Sequence, residues 1–317
     1  MEAGGSGCEI GRSVGLNVMG TLSNRTLRLP DFIAVGPPRT GTTWLYRVLT
    51  GHVGLPFGIK ETQFFVWNYD LGLEWYLSYL RDAPNNLPLG EIAPTYFDHP
   101  EARERIAALV PRCRIVISLR DPVDRIYSQY KTWCSVGLLD DEPFDYKKHQ
   151  SQLGASTSYA FNVKAWREAF GKDNVLVVLY DDLRADPQAY LDTVCSFIGI
   201  ASIDLRNSRW ANDPVNPSLR RSGSKRLARA VQNLRDYLVR RRHARLGRLL
   251  IDGTPLWNLL HAGGKEYPRL SLETEAELRN LLRPEIEDLE LLLGRDLSAW
   301  KLPPTGRNEL RRAGAGK

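Results

Sequence analysis

The chain reads as an α/β protein of the P-loop type, a parallel sheet sandwiched between helices in a single domain. Three observations predict this. Short, nearly continuous Val/Ile/Leu runs recur at Phe32-Ile33-Ala34-Val35, Arg114-Ile115-Val116-Ile117-Ser118-Leu119 and Val175-Leu176-Val177-Val178-Leu179-Tyr180. They lack polar alternation, as strands buried on both faces do, and helical apolar periodicity fills the intervals, as parallel crossovers demand. The third observation is the loop Gly36-Pro37-Pro38-Arg39-Thr40-Gly41, which joins the first run directly to a helical pattern. A strand, a glycine-bracketed loop and a helix start together make the context of a phosphate cradle.

Element by element, the first helix is predicted from Thr42 to about Thr50. Asp121-Pro122 follows the second strand, with Asp suited to cap a helix and Pro to its first turn. Helical patterns at Ala160–Phe170 and Pro187–Ile198 flank the third strand. Beyond Trp210 the character changes. A long basic helical pattern runs from Ser222 to Leu250 and contains Arg240-Arg241-Arg242; a Leu/Glu-rich amphipathic helix runs from Leu272 to Leu293. The basic stretch reads first as a solvated helix face, and second as a surface for an acidic acceptor or a membrane. Residues 1–28 are expected to form a flexible leader, 29–302 the folded domain and 303–317 a frayed basic tail.

With 317 residues, 43% hydrophobic and 25% charged, the chain can bury a core, and its composition argues against gross disorder. A net charge of +6 favours acidic partners: phosphorylated nucleotides, anionic glycans, nucleic acid or membrane surfaces. Cys8, Cys113, Cys134 and Cys195 form no CxxC pair, and no histidine cluster has metal spacing. Buried thiols in a reducing compartment are therefore expected, with neither structural zinc nor a disulfide framework. No apolar run approaches the ~18 residues of a membrane span, and Met1–Asn24 lacks the apolar stretch of a secretory signal. The chain reads as cytoplasmic, with peripheral membrane contact left open.

An ATP- or GTP-binding loop would read GxxxxGK[ST]. Here the Gly36…Gly41 spacing is kept, but Thr42 stands in the lysine's place and the cation has moved to Arg39. That counts against a kinase-like phosphotransferase. Arg120 ends the second strand, where ligands of open α/β sheets gather, and Ser128 follows two helical turns later. Three further segments stand out: Gly58-Ile59-Lys60-Glu61-Thr62-Gln63-Phe64-Phe65, Gly90-Glu91-Ile92-Ala93-Pro94-Thr95-Tyr96-Phe97, and Gly263-Gly264-Lys265-Glu266-Tyr267-Pro268.

In this order the segments resemble those of the PAPS-dependent sulfotransferases, in a bacterial form similar to the heparan-sulfate and tyrosylprotein branch. PAPS is 3′-phosphoadenosine-5′-phosphosulfate. The resemblance is good from about Asp31 to Ile200 and tenuous elsewhere. It implies transfer of a sulfuryl group from PAPS, without a metal, to the hydroxyl of a carbohydrate, lipid or small natural product. Pro38, Arg39, Thr40, Gly41, Thr42, Thr43 and Trp44 would cradle the 5′-phosphosulfate, and Arg120 and Ser128 would hold the 3′-phosphate. Gly264, Lys265 and Tyr267 fall on a late loop that would close over the nucleotide, with a plain turn as the equal alternative. Glu61 falls on the glutamate that serves heparan-type enzymes as catalytic base. Ile92 stands where the family usually has lysine, which removes one expected cation.

Arg39 is assigned charge stabilisation of the leaving phosphate rather than proton donation, for which a guanidinium is poorly suited. Lys60 is the secondary catalytic candidate, since on an extended segment its side chain would face away from that of Glu61. His52 and His99 are alternative bases. No nucleic-acid motif is present. The competing functions are a P-loop phosphotransferase and a non-catalytic protein that binds through the basic helix near Arg240. Neither the acceptor nor the oligomeric state follows from these motifs.

Overall fold

The computed structural model describes residues 28–140, 143–208, 224–243 and 266–303. Strands β1 (Phe32–Val35), β2 (Gly90–Ile92), β3 (Arg114–Leu119) and β4 (Val175–Leu179) form a sheet in the order β2-β1-β3-β4, every pair parallel. The helices are α1 (Thr42–Leu49), α2 (Leu73–Leu80), α3 (Pro100–Leu109), α4 (Pro122–Ser135), α5 (Tyr146–Leu153), α6 (Tyr159–Phe170), α7 (Tyr180–Ala185), α8 (Pro187–Ile198), α9 (Lys225–Arg240), α10 (Leu272–Leu293) and α11 (Ser298–Lys301).

Strand alternation divides the interior into two cores. Ile33, Val35, Ile115 and Ile117 pack with residues of α2, α3, α4, α6 and α10, while Phe32, Ala34, Val116 and Val178 pack with α1, α7 and α8. The predicted α/β sandwich is thus the observed one. The third predicted strand is one residue shorter than expected, because Tyr180 already begins α7. Strand β2 escaped the sequence reading: it is three residues long, and two of its residues, Gly90 and Glu91, are of types depleted in strands.

The strand order makes β1 and β3 the place where the chain reverses its direction of travel across the sheet. From β1 it crosses to one side for β2, then returns to the other side for β3. Crevices beyond the carboxyl ends of such a strand pair are the ligand sites of open α/β sheets. Two sequence motifs meet there, the loop after Val35 and the Arg120 segment after Leu119.

The start of α4 is fixed from behind. One Asp121 oxygen caps the helix through the Val123 and Asp124 N–H groups at 2.9 and 3.2 Å, and the other accepts Arg279 Nη1 of α10 at 3.0 Å. Arg279 also donates to Glu275 at 3.0 and 2.7 Å, and all three residues are buried. This ionic group fastens α10 to the turn that carries Arg120.

The basic helix stops earlier than its sequence pattern. α9 ends at Arg240, Arg242 turns left-handed at φ 62°, and the His243 N–H returns to the Leu238 carbonyl at 2.8 Å. The predicted continuation to Leu250 lies outside the described residues from 244 on, as do residues 1–27 of the expected leader and 304–317 of the expected tail. No helix among the described residues is long and apolar enough to cross a membrane. Cys113 and Cys195 are buried thiols.

Candidate active site

The loop after β1 is built by close approach. Gly36 has φ 137°, and a Cβ there would stand 2.7 Å from the Ser118 carbonyl oxygen, so the chain can leave β1 pressed against β3 only as glycine. Thr40 is fully buried. Its hydroxyl donates to the Pro37 carbonyl at 3.0 Å, and its own carbonyl accepts the Ser118 hydroxyl at 2.6 Å. Arg39 is left-handed at φ 78°, a conformation that costs a residue with a Cβ ~1–2 kcal/mol. Gly41 caps α1 without a side chain, unlike Asp121, Asp145 and Asp186, which cap α4, α5 and α8. The positive end of α1 is therefore not screened by its own cap, and the loop presents Pro38 and Arg39, both half-buried, above it. Thr43 is half-buried at the first turn, and Thr42 is buried. The Trp44 indole lies in the core, edge-on to Tyr190 at 6.0 Å, so what Trp44 offers at the loop is backbone.

Arg39 Nε donates to Ser128 Oγ at 2.9 Å, which joins the loop after β1 to the helix after β3. Arg120 Nη1 reaches the Arg39 carbonyl at 3.4 Å, and its guanidinium lies 4.9 Å from the Tyr180 ring centre. Its carboxylate neighbour is Asp124, at 3.9 Å. Burial, and then the Arg120 charge, pull Arg39 down to about 10, so it remains a cation at neutral pH. Lys131, one turn beyond Ser128, is likewise pulled down by burial, Arg120 and Arg39. The sequence reading passed over Lys131, although its i+3 spacing from Ser128 was a usable signal.

A second group of residues surrounds Glu61. Gln63 Nε2 donates to Glu61 Oε2 at 2.8 Å, and Lys60 Nζ donates to Oε1. This corrects the expectation that Lys60 faces away. Residues 59–63 are not a regular strand, so alternation does not apply, and the four-carbon stem folds back onto the neighbouring carboxylate. Gln63 is left-handed at φ 56°, and its side-chain carbonyl accepts the Thr95 hydroxyl. Beside it, Glu91 is entirely buried. It accepts the Thr62 N–H and hydroxyl, each at 2.7 Å, and the Tyr76 and Tyr96 hydroxyls at 3.1 and 3.3 Å. Burial raises the Glu91 carboxyl to about 7. Glu91 therefore holds the Glu61 segment from below and cannot reach an acceptor. Ile92, at the position where the resemblance calls for lysine, is a core residue beside α1.

Arg240 is committed within the molecule. It donates to the Trp67 carbonyl and Asn68 Oδ1 at 2.9 and 2.8 Å and pairs with Asp70 at 2.8 Å, while Trp75 Nε1 donates to its carbonyl at 3.1 Å. It tethers α9 to the chain just past Glu61. Gly264 and Lys265 lie outside the described residues, but Tyr267 packs on the larger core and the Tyr127 hydroxyl donates to the Pro268 carbonyl. The end of that late segment thus rests on α4, one residue from Ser128. His52 is exposed beyond the far end of α1, whose 8 residues span ~12 Å, and His99 is half-buried before α3. Among the described residues no three His, Cys, Asp or Glu side chains gather as a metal site.

The Sulfotransferase domain family matches residues 29–220, more than half of the chain. The chain belongs to the sulfotransferase family. It is 33% identical over 196 residues to the mouse bifunctional heparan sulfate N-deacetylase/N-sulfotransferase 4, covering 54% of this chain and 22% of that protein. The mouse N-deacetylase/N-sulfotransferase 1 is 28% identical over 304 residues, covering 86% of this chain and 31% of the relative. The chain thus spans less than a third of either relative's length. Among solved structures, a sulfotransferase from Alicyclobacillus acidocaldarius superposes with a TM-score of 0.59 at 20% identity, covering 87% of this chain and all of its own. That likeness concerns the fold. Family membership makes the chain a transferase of the sulfotransferase class and sets aside both the kinase-like and the non-catalytic alternatives.

Proposed function

We propose that this sulfotransferase takes its sulfuryl group from PAPS and delivers it to a hydroxyl of a carbohydrate, lipid or small natural product. The observation that carries the reading is the Arg39–Ser128 hydrogen bond. It joins, at one end of the sheet, the two motifs that the resemblance assigns to the two ends of PAPS. The first turn of α1 and Arg39 receive the 5′-phosphosulfate; Arg120 and Ser128 receive the 3′-phosphate. The late segment at Tyr267, resting on α4, is well placed to border the nucleotide.

In an in-line transfer, negative charge grows on the bridging oxygen that leaves with the 5′-phosphate. Arg39, desolvated and fixed, stabilises that charge. Glu61 takes the acceptor's proton, with Lys60 and Gln63 orienting its carboxylate. A carbohydrate is the favoured acceptor, because the relatives' names specify heparan sulfate. The same names specify N-sulfation, so an amino group on a sugar is the second acceptor chemistry to test.

The experiment is single-turnover release of PAP from PAPS against a panel of hydroxyl- and amino-bearing sugars, lipids and phenols. Glu61→Gln is expected to lower the rate by about 10²–10⁴ while PAP affinity and Tm stay near those of the unaltered protein. A Glu61→Gln protein with normal turnover would move the base role elsewhere, with His99 tested next.

A further inference from the structure

Helix α4 presents Asp124, Ser128 and Lys131 at i, i+4 and i+7, the spacing of one helix face. Ser128 on that face already holds Arg39, and Asp124 neighbours Arg120. Lys131 is half-buried, its ammonium 5.0 Å from the Tyr127 ring centre, and among the described residues it makes no ion pair. Arg39, Arg120 and Lys131 therefore lie within electrostatic reach of one another, and Asp124 is a carboxylate acting on both Arg120 and Lys131. Arg39 and Arg120 both depress the Lys131 ammonium, and Asp124 offsets part of that effect. A desolvated cation held near two others is a net cost to the ligand-free fold. Such costs persist where a bound polyanion offsets them.

We propose that Lys131 is a specificity-determining residue of the donor site, a third cation that grips the 3′-phosphate together with Arg120 and Ser128. The assignment rests on the PAPS reading above. The 3′ end is favoured over the 5′ end because Lys131 shares α4 with Ser128, a turn farther from the strand ends, whereas the 5′ group belongs to the start of α1. The nearby Tyr127 anchors the late segment through Pro268, so Lys131 also lies close to the chain that borders the nucleotide.

The test is calorimetric binding of PAP and of 5′-AMP to the full chain and to its Lys131→Met and Lys131→Arg forms. Lys131→Met should weaken PAP about tenfold, as expected for one charge-assisted contact, and leave 5′-AMP unchanged; Lys131→Arg should restore most of the loss. The ligand-free Lys131→Met protein should melt no lower than the unaltered chain, since a like charge has been removed. Equal loss for both nucleotides would overturn the 3′ assignment. Unchanged PAP affinity in Lys131→Met, with PAP still preferred by the unaltered protein, would remove Lys131 from the site. Equal affinity of the unaltered protein for PAP and 5′-AMP would instead defeat the donor reading itself.

Discussion

At the scale of single residues, the loop after β1 concentrates two costs at Arg39: left-handed backbone and a cation largely withdrawn from water beside Arg120. Neither helps folding, and both place a fork-shaped donor where the leaving phosphate is expected. Arg39→Gly separates the two effects, because glycine adopts φ 78° without penalty. The ligand-free variant should melt at or above the temperature of the unaltered protein, while turnover falls by about 10²–10³, the usual loss when a fixed transition-state donor is removed. A destabilised variant with near-normal turnover would make Arg39 a structural residue. Arg39 and the glycines were legible in the sequence because their spacing follows from a strand–loop–helix geometry, and Ser128 because its spacing from Arg120 matches the family resemblance. The Lys60–Glu61 contact was not legible, since its direction depends on the turn at Gln63, and a left-handed glutamine carries no sequence signal.

At the scale of elements, two polar groups, the buried Glu91 and the half-buried Thr95, hold the chain beside Glu61. The chain around Thr62 hangs on Glu91 of β2, and Gln63 is held by Thr95 just past that strand. Burial raises the Glu91 carboxyl from 4.5 to about 7, so the folded state favours the protonated form. The resulting stability is fully present below about 4.5, declines as pH rises toward 7, and is absent above that. Glu91→Gln cannot ionise. Chemical denaturation of both proteins between pH 4.5 and 7.5 should show the decline in the unaltered chain and a flatter profile in the variant; parallel profiles would mean that Glu91 does not titrate in this window. Strand β2 and this network were hidden because a three-residue strand shows no periodicity, and a glutamate in a strand reads as solvent-facing. The long strands β1, β3 and β4 were visible because burial on both faces leaves an unbroken apolar run. The tether made by Arg240 was hidden for a different reason: a run of arginines looks the same whether its members face solvent or pair with Asp70 and backbone carbonyls.

At the scale of the molecule, the strand order decides where everything meets. Reversal of the chain's path between β1 and β3 sets the loops after these two strands side by side at one end of the sheet, and the Arg39–Ser128 bond joins the first loop to the helix after β3. The central claim is that this site recognises both ends of a 3′-phosphorylated nucleotide. The most direct measurement is the affinity of PAP against that of 5′-AMP, in the unaltered protein and in the double variant Arg120→Ala, Ser128→Ala. Charge-assisted phosphate contacts are each worth roughly 1.5–3 kcal/mol. PAP should therefore bind at least ~10-fold more tightly than 5′-AMP, and the double variant should erase most of that preference. Equal affinities in the unaltered protein, or a preference that survives the double change, would contradict the account.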